Sequence, residues 1–320
     1  MILIRQLLEW VCRVKRGGLV LNFHTLSAAE TRDCVELLAC HFDLIGHDEL
    51  PGRLQRRGKR PFCLLTFDDG KRSNATETAP ELERLGVPGV FYVVTDFLSD
   101  GSTPLWFDRY AALRRAVPVL PAALDRRVLK LLPHDLREER VRRVCERFGI
   151  DAALGDDDVA PMSWQQARGL AERGHTVGAH TQRHAILTTE SRERALDEIE
   201  SSVRTVGEQL GQPCKSFAFP NGNYTAKLAL HAVDCGVETV MTTEPTWVDP
   251  GSRLWRLPRV QLHADTPRWR HLAKLVVAAS GRSLRNPDGT GRIYVDINRR
   301  ARRARSQATP KGQLPTPPRS

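Results

Sequence analysis

The chain has 320 residues, of which 41% are hydrophobic and 27% charged, so it is long enough for one large domain or two ordinary domains with a buried core. Lys and Arg outnumber Asp and Glu by 48 to 38, which gives a formal net charge of +10. This balance excludes a wholly disordered chain, and the lack of any run of about 20 apolar residues excludes a membrane-spanning helix. Seven scattered cysteines without a CxxC pair favour a reducing compartment over a disulfide framework, and we expect a cytoplasmic protein.

The first 17 residues predict an amphipathic helix. Charged residues, among them Arg5, Glu9 and Arg13, interrupt the apolar stretch, and no small-residue cleavage site follows, so a signal peptide is not expected. The apolar side of this helix can pack on the domain or lie at a membrane interface, and the sequence leaves both open. Peripheral membrane contact is therefore an alternative to a purely cytoplasmic location.

Residues 281–320 form a second distinct segment, rich in Arg and Pro and poor in acidic and apolar residues. Such a segment cannot bury enough surface to offset the entropy of ordering, which predicts a disordered basic tail. Basic tails can attract nucleic acid or anionic membranes, but they are also common solubilising ends. We expect no specific nucleic-acid partner.

Between these ends, at residues 18–280, short apolar runs alternate with helical patterns, which is typical of βα units and a parallel sheet. The predicted elements are, in chain order, strand 18–23, helix 28–41, strand 62–67, helix 78–85, strand 89–94, helix 163–173, strand 176–179, helix 192–210, strand 216–219, helix 226–235, strand 239–242 and strand 259–262. About seven strands in βα repeats predict an α/β fold, a distorted (β/α) TIM-like barrel, although the pattern also permits an open sheet.

An insertion of helical, Arg-rich sequence, about residues 95–161, separates two of these repeats. Helix-like patterns cover 113–132 and 135–148. Inserted material that follows a barrel strand lies on the active-site face, where it can form a lid or a substrate wall.

The motif TFDDG places Asp68 and Asp69 at the end of an apolar strand. Two adjacent carboxylates repel each other unless a cation or a proton intervenes. A turn with one capping Asp accounts for one of them but less well for both. A division of roles accounts for both, with one carboxylate binding a metal ion and the other accepting a proton from water.

The motif HTQRH directly follows the predicted strand 176–179. Its His180 and His184 are four residues apart, so one helical turn would let both imidazoles face the same point. Such a pair alone is a weak signal, but with an Asp-Asp strand end it predicts a three-ligand site with open positions.

The motif FAFPNG ends an aromatic strand in a Pro-Asn-Gly turn. Aromatic faces bind sugar rings, and we therefore count Phe219, Pro220, Asn221 and Tyr224 among the candidate substrate-binding residues.

These three motifs, in this order, resemble those of the polysaccharide deacetylase family, carbohydrate esterase family 4 with its NodB homology domain, over roughly residues 18–262. The resemblance implies a distorted barrel, Asp68 as general base, and Asp69, His180 and His184 as ligands of a divalent metal. Zinc suits these ligands best, and nickel, cobalt and iron also fit. The implied partner is an N-acetylated carbohydrate.

The sequence departs from the family pattern in the third motif, where many members carry an Arg and this chain has Ala218. The FAFPNG form is similar to the branch that acts on exopolysaccharide or biofilm polymers. In that branch the general acid comes from an early strand, which favours His24, with His263 as the alternative. Arg256 or Arg259 could replace the missing Arg in space, although both could equally be surface residues; we place Arg259 among the candidate substrate-site residues.

The sequence thus predicts a metal-dependent hydrolase that removes N-acetyl groups from an amino-sugar polysaccharide or oligosaccharide. One alternative is deacetylation or deformylation of a lipid-linked sugar precursor at the cytoplasmic membrane face. Another, of a different class, is a carbohydrate-binding homologue without catalysis, which the full set of Asp and His residues disfavours.

Overall fold

The computed structural model describes residues 2–56, 58–101, 103–117, 119–150, 156–263 and 266–280. The strands are β1 (Gly18–Phe23), β2 (Asp43–Leu44), β3 (Phe62–Phe67), β4 (Val90–Val93), β5 (Thr176–Ala179), β6 (Ser216–Ala218), β7 (Thr239–Met241) and β8 (Val260–Gln261). The helices are α1 (Ile2–Val14), α2 (Ala28–Ala39), α3 (Leu50–Gln55), α4 (Ala79–Arg84), α5 (Thr95–Asp100), α6 (Trp106–Ala116), α7 (Arg126–Leu129), α8 (His134–Arg147), α9 (Trp164–Glu172), α10 (Arg192–Leu210), α11 (Ala226–Asp234) and α12 (Arg268–Ala279). Among these described residues, no helix has the length and apolarity needed to cross a bilayer.

The strands form one parallel sheet in the order β7-β6-β5-β4-β3-β1-β8, with the two-residue β2 paired to the beginning of β3. The sheet curls into a half-barrel. A single parallel bridge from Met241 to Leu257 connects the β7 edge to the segment before β8. The fold is therefore an α/β, distorted TIM-like barrel, as predicted. Because all strands are parallel, their carboxyl ends meet on one face.

Side-chain alternation along the strands divides the core into two layers. Val20, Leu64 and Tyr92 point into the barrel and pack in an inner cluster. Their neighbours Leu21, Leu65 and similar residues pack outwards against the helices in a larger cluster. This alternation, with both faces buried, explains the near-continuous apolar runs of β1 and β3.

Local capping signals position the helices that flank the site. Ser163 accepts a hydrogen bond from the Gln166 amide in a capping box at the start of α9. Ser191 caps α10, and Gly211 ends it with a φ of 67°. The predicted bounds of α9 and α10 are correct to within one residue.

The insertion follows β4 and contains α5 to α8. It has a small apolar core of its own, formed by Trp106, Leu113, Leu129, Val141 and other side chains. The helix-like pattern over 113–132 corresponds to separate short elements: α6 ends at Ala116, and Pro121 precedes a short 3-10 turn and then α7. The predicted basic tail at 281–320 lies outside the described residues.

Candidate active site

A cavity of about 550 Å³ opens at the carboxyl ends of the strands. This volume lies in the range typical of small-molecule sites. Strand ends and the insertion both line it. The lining includes Asn22, His24, Asp68, Asp69, His180, His184, Gln261 and His263 from the barrel, and Trp106, Phe107, Asp108, Arg126 and Lys130 from the insertion.

Asp69, His180 and His184 converge at the floor of this cavity, with one possible ligand atom from each lying within 4.8 Å of the others. All three are buried. Nε2 of His184 is 3.3 Å and Nε2 of His180 is 3.6 Å from Asp69 Oδ1. The sequence-predicted ligand set is therefore brought together.

The two histidines meet by a route other than the expected helical turn. Residues 180–184 form a loop in which Thr181 has a φ of 65° and His184 a φ of 57°. Asp69, with a φ of 77°, and Asn221, with a φ of 57°, complete the set of non-glycine residues with positive φ among the described residues. Such conformations are strained and cluster at functional sites. Here Asp69, His184 and Asn221 line the cavity, and Thr181 lies in the loop between the two histidines.

The polar atoms of the cluster suit a cation. Among the described residues neither carboxylate oxygen of the buried Asp69 has a hydrogen-bond partner. Nδ1 of His180 lies 2.8 Å from the Ala218 carbonyl oxygen, to which it donates, so a neutral ring presents the lone pair of Nε2 towards Asp69. The buried Asp69 carboxylate faces Nε2 of both histidines, and a divalent ion bound by one oxygen and two nitrogen ligands would supply the missing positive charge. The residues present therefore fit the metal that the sequence motifs imply.

Burial and neighbouring charges set the ionisation of the cluster. Burial lowers the pKa of His180 to about 4, against the opposing effect of Asp68. Burial alone would raise the pKa of Asp69, but the imidazoles of His24, His184 and His180 outweigh it and hold that pKa below its usual range.

Asp68 faces a different partner, the guanidinium of Arg259. Nη1 of Arg259 donates to Asp68 Oδ1 at 2.7 Å and Nη2 to Oδ2 at 2.9 Å, a bidentate pair. Arg259 is fully buried and also donates to the Thr242 carbonyl and the Thr66 hydroxyl. Burial would raise the pKa of Asp68, but Arg259, followed by His180, holds it below its ordinary value.

Of the two arginines considered from the sequence, Arg256 and Arg259, only Arg259 contacts Asp68 among the described residues. Arg256 pairs with Glu244 and is partly exposed. Arg259 is buried against Asp68 and is not among the described residues that line the cavity, so its position favours contact with Asp68 over contact with a substrate.

Glu198 of α10 holds the loop that carries the histidines. Its Oε2 accepts hydrogen bonds from the backbone amides of Gln182 and Arg183 at 2.9 and 3.0 Å, and its Oε1 accepts one from Arg183 Nε at 2.8 Å. Glu198 is fully buried. The sequence offered no signal for this residue, because it lies on a regular amphipathic helix.

Both candidate acids lie at the cavity. His24 follows β1, is partly exposed, and has Nε2 at 3.9 Å from Asp69 Oδ2. His263 follows β8 and is exposed. The structure places both rings on the lining and His24 beside the metal-compatible cluster.

The third motif contributes less surface than expected. Phe219, Pro220 and Tyr224 are buried, and Phe219 packs between Phe217 and Tyr224. Of the four candidate sugar contacts in this motif, only Asn221 is among the described residues that line the cavity, so direct contact by the other three is not supported. The adjoining Gly222 has a φ of 70°, and a Cβ there would lie 1.7 Å from Thr243 Oγ1, which explains the glycine.

The insertion supplies lining residues that sequence reasoning missed. Nζ of Lys71, a buried side chain directly after the DDG turn, forms an ion pair with Asp108 of α6. Lys130, which follows α7, donates a hydrogen bond to Asn221 Oδ1. These contacts hold the insertion against the strand ends, and their sequence separations of 37 and 91 residues leave no local signal.

The curled parallel sheet carries a polar cavity at the carboxyl ends of its strands, which is where barrel enzymes place their active sites. The sequence model of the polysaccharide deacetylase family matches residues 55–240, more than half of the 320 residues. The chain therefore belongs to the polysaccharide deacetylase family and is a carbohydrate deacetylase, a hydrolase. No curated protein sequence matches it significantly.

Solved structures share the fold at low sequence identity. The deacetylase PplD of Streptococcus pyogenes, in complex with acetate, is 14% identical, with a TM-score of 0.57, over 82% of this chain and 99% of that one. IcaB of Ammonifex degensii is 18% identical, with a TM-score of 0.56, over 82% and 97%. The BpsB deacetylase domain of Bordetella bronchiseptica is 16% identical, with a TM-score of 0.54, over 77% and 96%. At these identities the similarity concerns the fold.

Proposed function

We propose that this protein is a metal-dependent hydrolase that removes N-acetyl groups from an amino-sugar polysaccharide or oligosaccharide. The observation that carries the proposal is the buried cluster of Asp69, His180 and His184, in which the Asp69 carboxylate has no hydrogen-bond partner among the described residues. Beside it lies a second carboxylate, Asp68, which Arg259 holds in place. Asp69, His180 and His184 would hold a divalent ion, with zinc the best match to the donor set. Such an ion would supply a Lewis acid for the otherwise unreactive amide carbonyl.

Asp68 is the general base of this proposal. Its carboxylate is buried at the cavity floor and held by two hydrogen bonds from Arg259, which fix its orientation and keep it ionised. A carboxylate so fixed can accept the proton of an attacking water. Arg259 acts through Asp68 and is a positioning residue.

His24 is the proposed general acid, and His263 is the alternative. A protonated imidazole at this position can deliver a proton to the departing amine. The distance of 3.9 Å between His24 Nε2 and Asp69 Oδ2 supports His24, because it sets this ring beside the residues that would hold the metal.

The wall formed by the insertion supports a carbohydrate as substrate. The half-buried Phe107 offers aromatic surface, and Asp108, Lys130 and Asn221 offer polar groups at the same cavity. Sugars need this combination of flat apolar faces and hydrogen-bonding groups. An exopolysaccharide is the class indicated by the FAFPNG motif.

The test combines metal analysis with acetate release from N-acetylglucosamine oligomers and from poly-N-acetylglucosamine. Asp68→Asn should retain bound zinc and lose at least about 100-fold in turnover, the lower range for a general base. His184→Ala should lose the zinc itself. His231→Ala, a matched control on α11 where His231 pairs with Glu200, should retain both. Unchanged turnover in Asp68→Asn would overturn the assignment of the base.

A further inference from the structure

The first helix exposes a stripe of large apolar side chains that the core of the protein does not use. Leu3, Leu7, Trp10 and Val14 are 81%, 47%, 60% and 55% exposed. With about 3.6 residues per turn, these four positions fall within an arc of roughly 60°. We call these four residues the α1 stripe.

The stripe is held in place by a second, buried face of the same helix. Leu8 and Val11 are buried and pack in the main core, with Ile4 and Cys12 partly buried beside them. Helix α1 also packs along α12. The stripe is therefore presented by an anchored helix, and contiguous exposed apolar surface of this kind marks an interaction site.

The surroundings of the stripe are cationic. Arg5, Arg13 and Arg16 are exposed on or directly after α1, and the only acidic residue of the helix, Glu9, pairs with Arg5. On the adjoining α12, Trp269 is 46% exposed, and the guanidinium of Arg270 lies over its ring at 5.2 Å. Leucine and tryptophan side chains next to arginines are typical of helices that lie in a membrane interface.

The charge distinguishes between two occupants of the stripe. A second copy of the chain would bring the arginines of one α1 close to those of the other, and like charges at a contact are unfavourable. An anionic lipid surface is complementary to the same arginines and to a chain with a net charge of +10. We propose that the α1 stripe docks on an anionic lipid bilayer, with α1 lying in the plane of the interface.

Vesicle co-sedimentation tests this proposal without reference to catalysis. The full chain should bind vesicles of equal parts phosphatidylglycerol and phosphatidylcholine, and bind vesicles of phosphatidylcholine alone more weakly. The variant Leu7→Gln with Trp10→Gln should bind the anionic vesicles at least about tenfold more weakly, since each buried large apolar side chain contributes about a factor of ten or more to partitioning. The control variant Leu230→Gln with Val233→Gln changes two exposed apolar residues of α11 and should bind like the wild type.

A second variant and a second measurement guard against an effect on folding. Arg13→Gln with Arg16→Gln should weaken binding to the anionic vesicles, and added salt should weaken binding of the wild type. Binding that is absent in the wild type, or unchanged in the Leu7 and Trp10 variant, overturns the proposal. So does sedimentation analysis that shows a lipid-free dimer of the wild type and a monomer of that variant, because the occupant would then be a second copy.

Discussion

The pair formed by Arg259 and Asp68 allows the sharpest test of how the site is built. Both side chains are buried, and the guanidinium makes four hydrogen bonds, two of them to Asp68. Arg259→Met removes one partner of a buried ion pair and leaves the other charge without compensation. This change costs about 3–5 kcal/mol in unfolding free energy.

Catalysis should fall with the same substitution, because Asp68 would no longer be held in one orientation. We expect a loss of about 100-fold in turnover with the zinc content unchanged, since a misplaced general base loses much of a contribution of that size or larger. Arg259→Lys keeps the positive charge but not the two-pronged geometry, and should lie between wild type and Arg259→Met in both measurements.

The chain offers a matched control three residues away. Arg256 pairs with Glu244 at a partly exposed position, so Arg256→Met should cost at most about 1 kcal/mol. Urea unfolding measures stability, acetate release from N-acetylglucosamine oligomers measures turnover, and elemental analysis measures zinc. Equal losses of stability in Arg259→Met and Arg256→Met, or full turnover in Arg259→Met, would refute the reasoning.

Two further predictions concern the supports of the site. Glu198→Ala removes a buried carboxylate that accepts hydrogen bonds from two backbone amides of the histidine loop, and should cost about 2–5 kcal/mol in urea unfolding. It should also weaken zinc binding, which a metal titration would measure; wild-type zinc affinity would contradict a positioning role. Burial, followed by Arg137 and Arg183, lowers the pKa of His134 to about 3. Below pH 6.5 the unfolded chain therefore binds a proton at this histidine that the folded chain does not, and the free energy of unfolding decreases as the pH falls. From pH 7 to pH 5 this histidine should remove about 2 kcal/mol of stability that His134→Gln does not lose, and parallel stability curves for the two proteins would count against the assignment.

Elements with strong local signals could be predicted from the sequence. The bounds of β1, β3, β5 and α10 agree with prediction, because apolar runs end at clear stops such as the Asp-Asp-Gly turn and Gly211. The short β2, with only two residues, has no such signal, since its pairing with β3 decides it.

The residues of the candidate site also divide into those with a local sequence signal and those without one. The Asp and His residues that converge at the strand ends could be predicted, because Asp68, Asp69 and His180 follow predicted parallel strands and His184 belongs to the same motif as His180. The contact between Arg259 and Asp68 spans 191 residues, and nothing in local spacing distinguishes Arg259 from Arg256. The positive φ values of Thr181 and His184 also have no local signal, because the barrel and Glu198 impose them on residues that disfavour them.

The backbone at Asp69 explains how two adjacent carboxylates can serve different partners. Asp68 continues the line of β3 and faces Arg259, on the side of β8. The φ of 77° at Asp69 turns the chain, so that its carboxylate faces the two histidines after β5 instead. A residue in ordinary extended conformation would place the two side chains on opposite sides of the strand, one of them away from the cavity. The strain at Asp69, of the order of 1–3 kcal/mol, therefore brings the proposed base and the proposed ligand to the same cavity floor, where Arg259 holds only Asp68.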